Sequence, residues 1–545
     1  MAGRIGLCAP KATRIENLLN SRTPALRNQA LIGLIIFGFG LWAAWQVGNR
    51  VVANDTWSLI YVVLGFAACA AAVAILRHWR NGFYLFLVWL MFEDFVRKYM
   101  GNGTALFFGK DILLALVYMA LFVEIRKGRA KTFRPPFLFF LSMFIWLGVL
   151  QIFNQNSPHI LYGLLGFKVY FYYVPLIFIG YALIRTDDDL RRFFVANAVL
   201  AGVIGSLGIA QAILGNSFLN PRVLAPELED VGNLSKVSPL TGRVLSLPDS
   251  VFVSSGRYAE YLVVAFILTT GAAAYLLLHT RRSRKLIFAV IGILGSATLL
   301  SGSRSAVMVV GASVLVLSAG FLWGAPWRWR QAHRLVKAIR RSLIVAGLGL
   351  AVLILIFPED AGSRIAFYSE TLNPNSSAYE LGTRSWDYPI QNLMDAFAQP
   401  NWVIGNGIGT ASLGRQYVAK LLGTRQPQLG VEEGYGQLII EMGVVAPFLW
   451  ILWTAALLYY SWKIVRRLRE TRFAPVAFAI VWYAFLLLYV FTYAGLDAYQ
   501  NYTCNAFLWI LTGILFRLPD VLAQSAAPVV VGARTLPVAI DDDAR

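Results

Sequence analysis

Apolar stretches long enough to cross a bilayer recur along this chain, and they limit its possible folds more than any other feature. A helix needs about 20 mostly apolar residues to cross roughly 30 Å of hydrocarbon. About fourteen such stretches lie near 30–47, 57–76, 82–96, 111–125, 136–153, 160–184, 193–213, 258–279, 286–300, 305–323, 342–357, 435–461, 474–495 and 503–518. The third and ninth are short, so twelve spans is the alternative count. Only 14% of the residues are charged, against about 25% in an ordinary soluble domain, which excludes a soluble enzyme with a large core. The sequence predicts an all-α polytopic membrane protein.

The charge that remains is lopsided, with 48 Lys and Arg against 29 Asp and Glu. In a soluble chain that excess suggests nucleic acid; here it marks topology, and no nucleic-acid partner is expected. Arg126, Lys127, Arg129, Lys131 and Arg134 fill one short loop, and Arg281, Arg282, Arg284 and Lys285 another. Arg328 to Arg341 supply a third basic cluster, and Lys463 to Arg472 a fourth. Fourteen spans place all four on one side, together with the basic N-terminus, and the positive-inside rule makes that side the cytoplasm. Both termini are then cytoplasmic.

Residues 1–28 are polar and basic, with nothing resembling a cleaved signal. The polytopic domain covers 29–518, and the tail 519–545, with Asp541 to Asp543, reads as disordered. Cys8, Cys69 and Cys504 make no disulfide framework, the four histidines are isolated, and no metal-ligand pattern is present. Two long loops fall outside, at about 214–257 and 358–434. The second carries Trp386, Tyr388, Phe397 and Trp402, which argue for structure and function rather than disorder. No internal repeat of the inverted-transporter kind is visible.

Charge near membrane depth costs on the order of 3 kcal/mol at a helix centre, so each such residue needs a reason. Arg304 sits in Ser301-Gly-Ser-Arg-Ser-Ala306, a tight outer turn that offers it no carboxylate neighbour in sequence. Lys168 lies among Tyr170, Tyr172 and Tyr173, and Arg257 and Glu260 open the eighth span. Arg97 and Lys98 follow Glu93 and Asp94 at i,i+4 spacing, so pairing explains them as readily as function does. Gly405-Asn-Gly-Ile-Gly409 lacks the strand–helix context of a dinucleotide site and reads equally as a plain turn. Glu432 and Glu433 precede the twelfth span, where acids also favour a helix N-terminus. Asp187-Asp-Asp189 follows Thr186 and reads as helix capping rather than metal binding.

The order of these features resembles the O-antigen ligase and Wzy-type polymerase superfamily of bacterial inner-membrane glycosyltransferases. A Ser-Arg-Ser-Ala outer turn is followed, after one more span, by a large external loop. That loop holds Arg384-Ser-Trp386, then Gly405 to Gly409, then Glu432-Glu-Gly-Tyr-Gly-Gln-Leu-Ile-Ile-Glu-Met-Gly443. The likeness covers roughly 250–460, with an extension to Gly166-Phe-Lys-Val-Tyr170. Each motif is loose, and their order carries the resemblance.

The resemblance implies a GT-C-like fold and a site facing the periplasm. Such enzymes take glycan from an undecaprenyl-diphosphate carrier and join it to an acceptor glycan, using no nucleotide sugar, no cofactor and, in the ligases, no metal. A flippase and a chain-length regulator are the proteins such a polymerase works beside. Arg304 and Arg384 correspond to the arginines that hold the diphosphate. With Lys168, Arg257, Arg415 and Tyr435 they form the predicted diphosphate and glycan-binding set, and Glu432 and Glu433 are the candidate bases. Ligases carry a His-Asn pair where this chain has Glu432-Glu433, which favours polymerase over ligase. A transporter of carrier-linked glycan is the reading from another class; the missing repeat and the aromatic-rich outer loop speak against it.

Overall fold

The computed structural model describes residues 72–101, 104–221, 234–240, 244–279, 284–326, 358–377, 379–427 and 430–526, with isolated positions at 70, at 242 and among 333–355. The predicted spans near 30–47 and 342–357, and most of that near 57–76, lie outside the continuously described residues, as do 1–28, 527–545 and Arg243. The chain divides into two compact units, Met1–Trp79 and Arg80–Arg545, and the candidate site belongs wholly to the second.

Seven helices among the described residues are long and apolar enough to cross a membrane. They are Ile160–Leu183, Asp187–Leu214, Ser255–Leu278, Arg304–Gly324, Val445–Arg467, Ala474–Ala494 and Tyr502–Ser525. Four more stand where spans are predicted but are short or carry charge: Trp79–Met100, Thr104–Arg126, Leu138–Ile152 and Arg284–Leu300. The fold is that of a multi-pass helical membrane protein. Aromatic rings fill its centre, where Phe144 meets Trp450 edge to face at 5.6 Å and Trp453 stacks on Trp509 at 5.8 Å.

Contacts among the described residues define two ends of the helical bundle. At one end Arg185 donates to the Arg129 carbonyl at 2.9 Å, Arg472 pairs with Asp187, and Glu470 N donates to the Gly324 carbonyl at 2.7 Å. Thr186 and Asp189 form a reciprocal capping box there, so the acidic run is a helix cap as the sequence predicts. At the other end lie the turns at 301–304 and 405–409 and the loop helices Pro358–Leu372, Tyr388–Ala398, Arg415–Leu422 and Gly434–Met442.

Three boundaries differ from the sequence reading, each for a local reason. The stretch 160–184 is broken between Phe171 and Leu176, just before which stands Pro175. The stretch 435–461 splits at Gly443, whose φ of +82° ends Gly434–Met442 before Val445–Arg467 begins. The last helix continues through Pro519 to Ala526, where the sequence predicts a disordered tail from 519. An Arg517–Asp520 ion pair at 2.7 Å and buried Leu518 and Val521 hold that extra length. The helical fold also carries one short hairpin. Ser235–Val237 and Val244–Ser246 pair antiparallel, with Lys236 opposite Leu245.

Candidate functional site

The turn that presents Arg304 is built from small residues. Gly302 adopts φ +69°, a conformation that L side chains rarely take, and Ser303 caps the helix Arg304–Gly324 through its Oγ and Ala306 N. Arg304 thus opens a long helix at the positive end of its dipole, where a cation is disfavoured unless an anion accompanies it. That anion is Glu380, whose Oε2 lies 2.8 Å from Arg304 Nη2. The sequence offered Arg304 no local carboxylate; the loop that follows Pro358–Leu372 delivers one.

Arg384 sits in a π-type turn, Thr383–Asp387, an irregularity often found at functional positions. Its Nε is 3.9 Å from Glu380 and its Nη1 3.5 Å from Glu432 Oε2. Arg304, Glu380, Arg384 and Glu432 therefore form one alternating chain of charge across the turn and the loop.

Arg304, Glu380 and Arg384 border a cavity of about 290 Å³, lined also by Lys236, Ser303, Ser305 and Thr371. Lys236 arrives on the hairpin, which is pinned to Pro358–Leu372 by Ser238 and Leu240 N donating to Glu370. Leu245, Leu247 and Phe367 form the small core beneath it. Arg304 and Lys236 lie over the Phe367 ring, at 5.1 and 5.9 Å from its centroid. Burial, and then the neighbouring guanidinium of Arg304, hold the Lys236 amine below its ordinary range. Three cations and one carboxylate line the cavity, so it is electropositive. Arg304 Nη1 is buried with no hydrogen-bond partner among the described residues.

Glu432 and Glu433 have different surroundings. Glu433 is buried and caps Gly434–Met442, accepting from Tyr435 N at 2.8 Å and from Gly436 N. Burial pushes its carboxyl up to about 7, against the pull of those two N–H groups. Glu432 is 67% exposed; its backbone N donates to Asn392 Oδ1 at 3.0 Å and its carboxylate faces Arg384. Tyr435 begins the helix that Glu433 caps.

Three segments joined by the sequence resemblance meet in space. A Cβ built on Gly166 would lie 2.3 Å from Gly409 N, so helix Ile160–Phe171 and the glycine turn touch backbone to backbone. Tyr170 donates to Glu441 Oε2 at 2.8 Å, and Ala411 N and Ser412 Oγ donate to Glu441 Oε1. The glycine cluster is thus a packing junction, with φ of +85°, +94° and +93° at Gly405, Gly407 and Gly409.

The remaining sequence candidates gather elsewhere. Lys168 pairs with Asp111, and Arg257 pairs with Asp94 at 3.1 Å, neither of them on the cavity. Both belong to a buried ionic network in which Arg97 pairs with Asp94, Lys98 with Asp249 and Lys110 with Glu93, all at 2.8–2.9 Å. Arg97 thus pairs with a near carboxylate as expected, at i,i+3 rather than i,i+4, whereas Lys98 reaches Asp249. Arg415 opens helix Arg415–Leu422 near Asp497. Burial raises the Asp497 carboxyl, with Arg257, Glu432 and Arg415 as its charged neighbours. Asp497 is nonetheless exposed to solvent.

Glu380, Lys236 and Asp497 are the residues that sequence reading missed. Comparison with protein families, curated proteins and solved structures found no match for this chain.

Proposed function

We propose that this protein is a GT-C-like glycosyltransferase that polymerises undecaprenyl-diphosphate-linked repeat units into O-antigen or exopolysaccharide. The observation that carries the reading is the convergence of Arg304 and Arg384, from two separate motifs, on one electropositive cavity. A diphosphate leaving group gathers negative charge as its bond to the sugar breaks. Guanidinium groups stay protonated and offer paired donors to it. The N-terminus of Arg304–Gly324 adds its own N–H groups and dipole.

In the reaction the acceptor hydroxyl gives its proton to a carboxylate and its oxygen attacks the anomeric carbon of the donor. The bond from that carbon to the phosphate oxygen breaks, and the diphosphate departs with the electron pair. Glu432 suits the base, being exposed beside Arg384, whereas the Glu433 oxygens are committed to the helix cap. Arg257 and Arg415, around Asp497, suit the acceptor glycan. In this reading the basic end faces the cytoplasm of a bacterial inner membrane, by the positive-inside rule, and the cavity faces the periplasm.

The glycan profile of a deletion strain tests the proposal. Polymerase loss leaves single repeat units in place of long chains. Carrier-linked polymer that accumulates unattached assigns the ligase reaction instead, and an unchanged profile overturns both.

A further inference from the structure

Glu380 occupies the place that an anionic ligand would take. Its Oε2 lies 2.8 Å from Arg304 Nη2 and 3.9 Å from Arg384 Nε, the two guanidinium groups that border the cavity. It satisfies Arg304 incompletely, because Nη1 of the same guanidinium is buried and unpartnered. A carboxylate has two oxygens and one charge. A phosphate group has more of both and can meet a guanidinium fork with two parallel bonds.

The setting also makes Glu380 easy to displace. Its side chain is 39% exposed, and partly exposed ion pairs are among the weak ones. It follows the turns at 373–377 and stands just before the π-type turn of Arg384, outside any long helix. Lys236 on the hairpin supplies a third cation, so a multiply charged ligand gains an attraction that Glu380 alone does not use.

We infer that Glu380 is an internal counterion that holds the cavity in the absence of ligand and must yield its place to a diphosphate. The inference rests on the cavity being the anion site proposed above. In the empty protein the pair keeps the arginines ordered and aimed inward. On binding, the carboxylate swings toward solvent and the diphosphate takes over both guanidinium groups. Glu380 thereby sets a threshold that favours ligands of higher charge over monoanions.

The test is calorimetric titration of the purified full chain, in detergent, with inorganic pyrophosphate and with farnesyl diphosphate. Glu380→Gln and Glu380→Ala should each bind both ligands about fivefold more tightly than wild type, the worth of a partly exposed ion pair. Glu380→Asp keeps the charge with a shorter reach and should fall between. Arg304→Ala should weaken both ligands. Wild-type or weaker affinity in Glu380→Gln and Glu380→Ala, at an unchanged unfolding temperature, overturns the counterion role and leaves the anion site standing. A gain confined to farnesyl diphosphate also overturns it, since the effect would then lie with the lipid chain. Absence of binding to every protein overturns the cavity reading and this inference together.

Discussion

Glu380 and Arg304, 76 residues apart in sequence, meet at 2.8 Å and fasten the loop after Pro358–Leu372 to the turn that opens helix Arg304–Gly324. Through Glu380 the loop's own arginine, Arg384, is drawn to the same cavity. The ion pair is thus a register between two chain segments, and it decides which side chains can act on one ligand.

The two arginines should differ in weight. Arg304 is mostly buried and sits at a helix N-terminus, so Arg304→Ala should slow chain extension on the order of 10²–10³-fold. Arg304→Lys should recover part of that, having charge without the planar fork. Arg384 is 58% exposed and screened by solvent, and its loss should cost roughly tenfold. Polymer length on gels, at matched protein level, reads all three.

Glu433 should leave a pH signature in stability. Its carboxyl rises from an ordinary 4.5 to about 7 in the folded chain. Between those values the folded protein keeps a proton that the unfolded chain has released, so this contribution is full below 4.5 and lost as pH rises through 7. Glu433→Gln removes the slope. The difference in unfolding temperature, variant minus wild type, should climb from pH 5 to pH 8; a flat difference would count against the cap's burial.

Lys236 should make anion binding fade early on the alkaline side. Its amine lies below the ordinary lysine range because it is buried and faces Arg304 and Arg384, with Glu380 opposing them. Only the protonated amine attracts a diphosphate, so affinity drops as pH rises through the depressed value. Lys236→Arg holds its charge. The wild-type to Lys236→Arg affinity ratio, measured by pyrophosphate titration between pH 7 and 10, isolates the lysine from the ligand's own titration.

Asp94 carries the buried network. Its two oxygens face Arg97 at 2.8 Å and Arg257 at 3.1 Å, and Asp94→Asn would leave two guanidinium groups with their shared countercharge gone. A loss of about 3–5 kcal/mol is expected, seen as a clear fall in unfolding temperature. Asp188→Asn breaks only an exposed pair with Arg191 and should leave that temperature unchanged.

Much of the helical layout was legible because a span leaves a local record, a run of apolar residues of fixed length. Of the basic loops, those at 126–134 and 463–472 do share an end, where Arg129 and Arg472 both contact the segment Arg185–Asp187. Arg304 and Arg384 stood out because a cation in an apolar or helix-opening setting breaks a local rule. Glu380 and Lys236 broke none. Glu380 lies in an ordinary polar loop, and Lys236 in a hairpin that forms only against Phe367 and Glu370. Long-range pairing such as Lys98 with Asp249 leaves no trace in spacing, whereas the Arg97–Asp94 pair lies within one helical turn and could be anticipated. Gly443 hid for a related reason: its positive φ cuts an apolar run that composition reads as continuous.

Chain extension in proteoliposomes tests the central claim most directly. Purified protein is reconstituted and supplied, from the face bearing the cavity, with undecaprenyl-diphosphate-linked repeat units alone. Wild-type protein should lengthen the glycan and release undecaprenyl diphosphate, and Arg304→Ala should do neither at a comparable rate. Equal chain lengths from Arg304→Ala and wild type, with both proteins folded, would contradict the assignment of this cavity to the reaction.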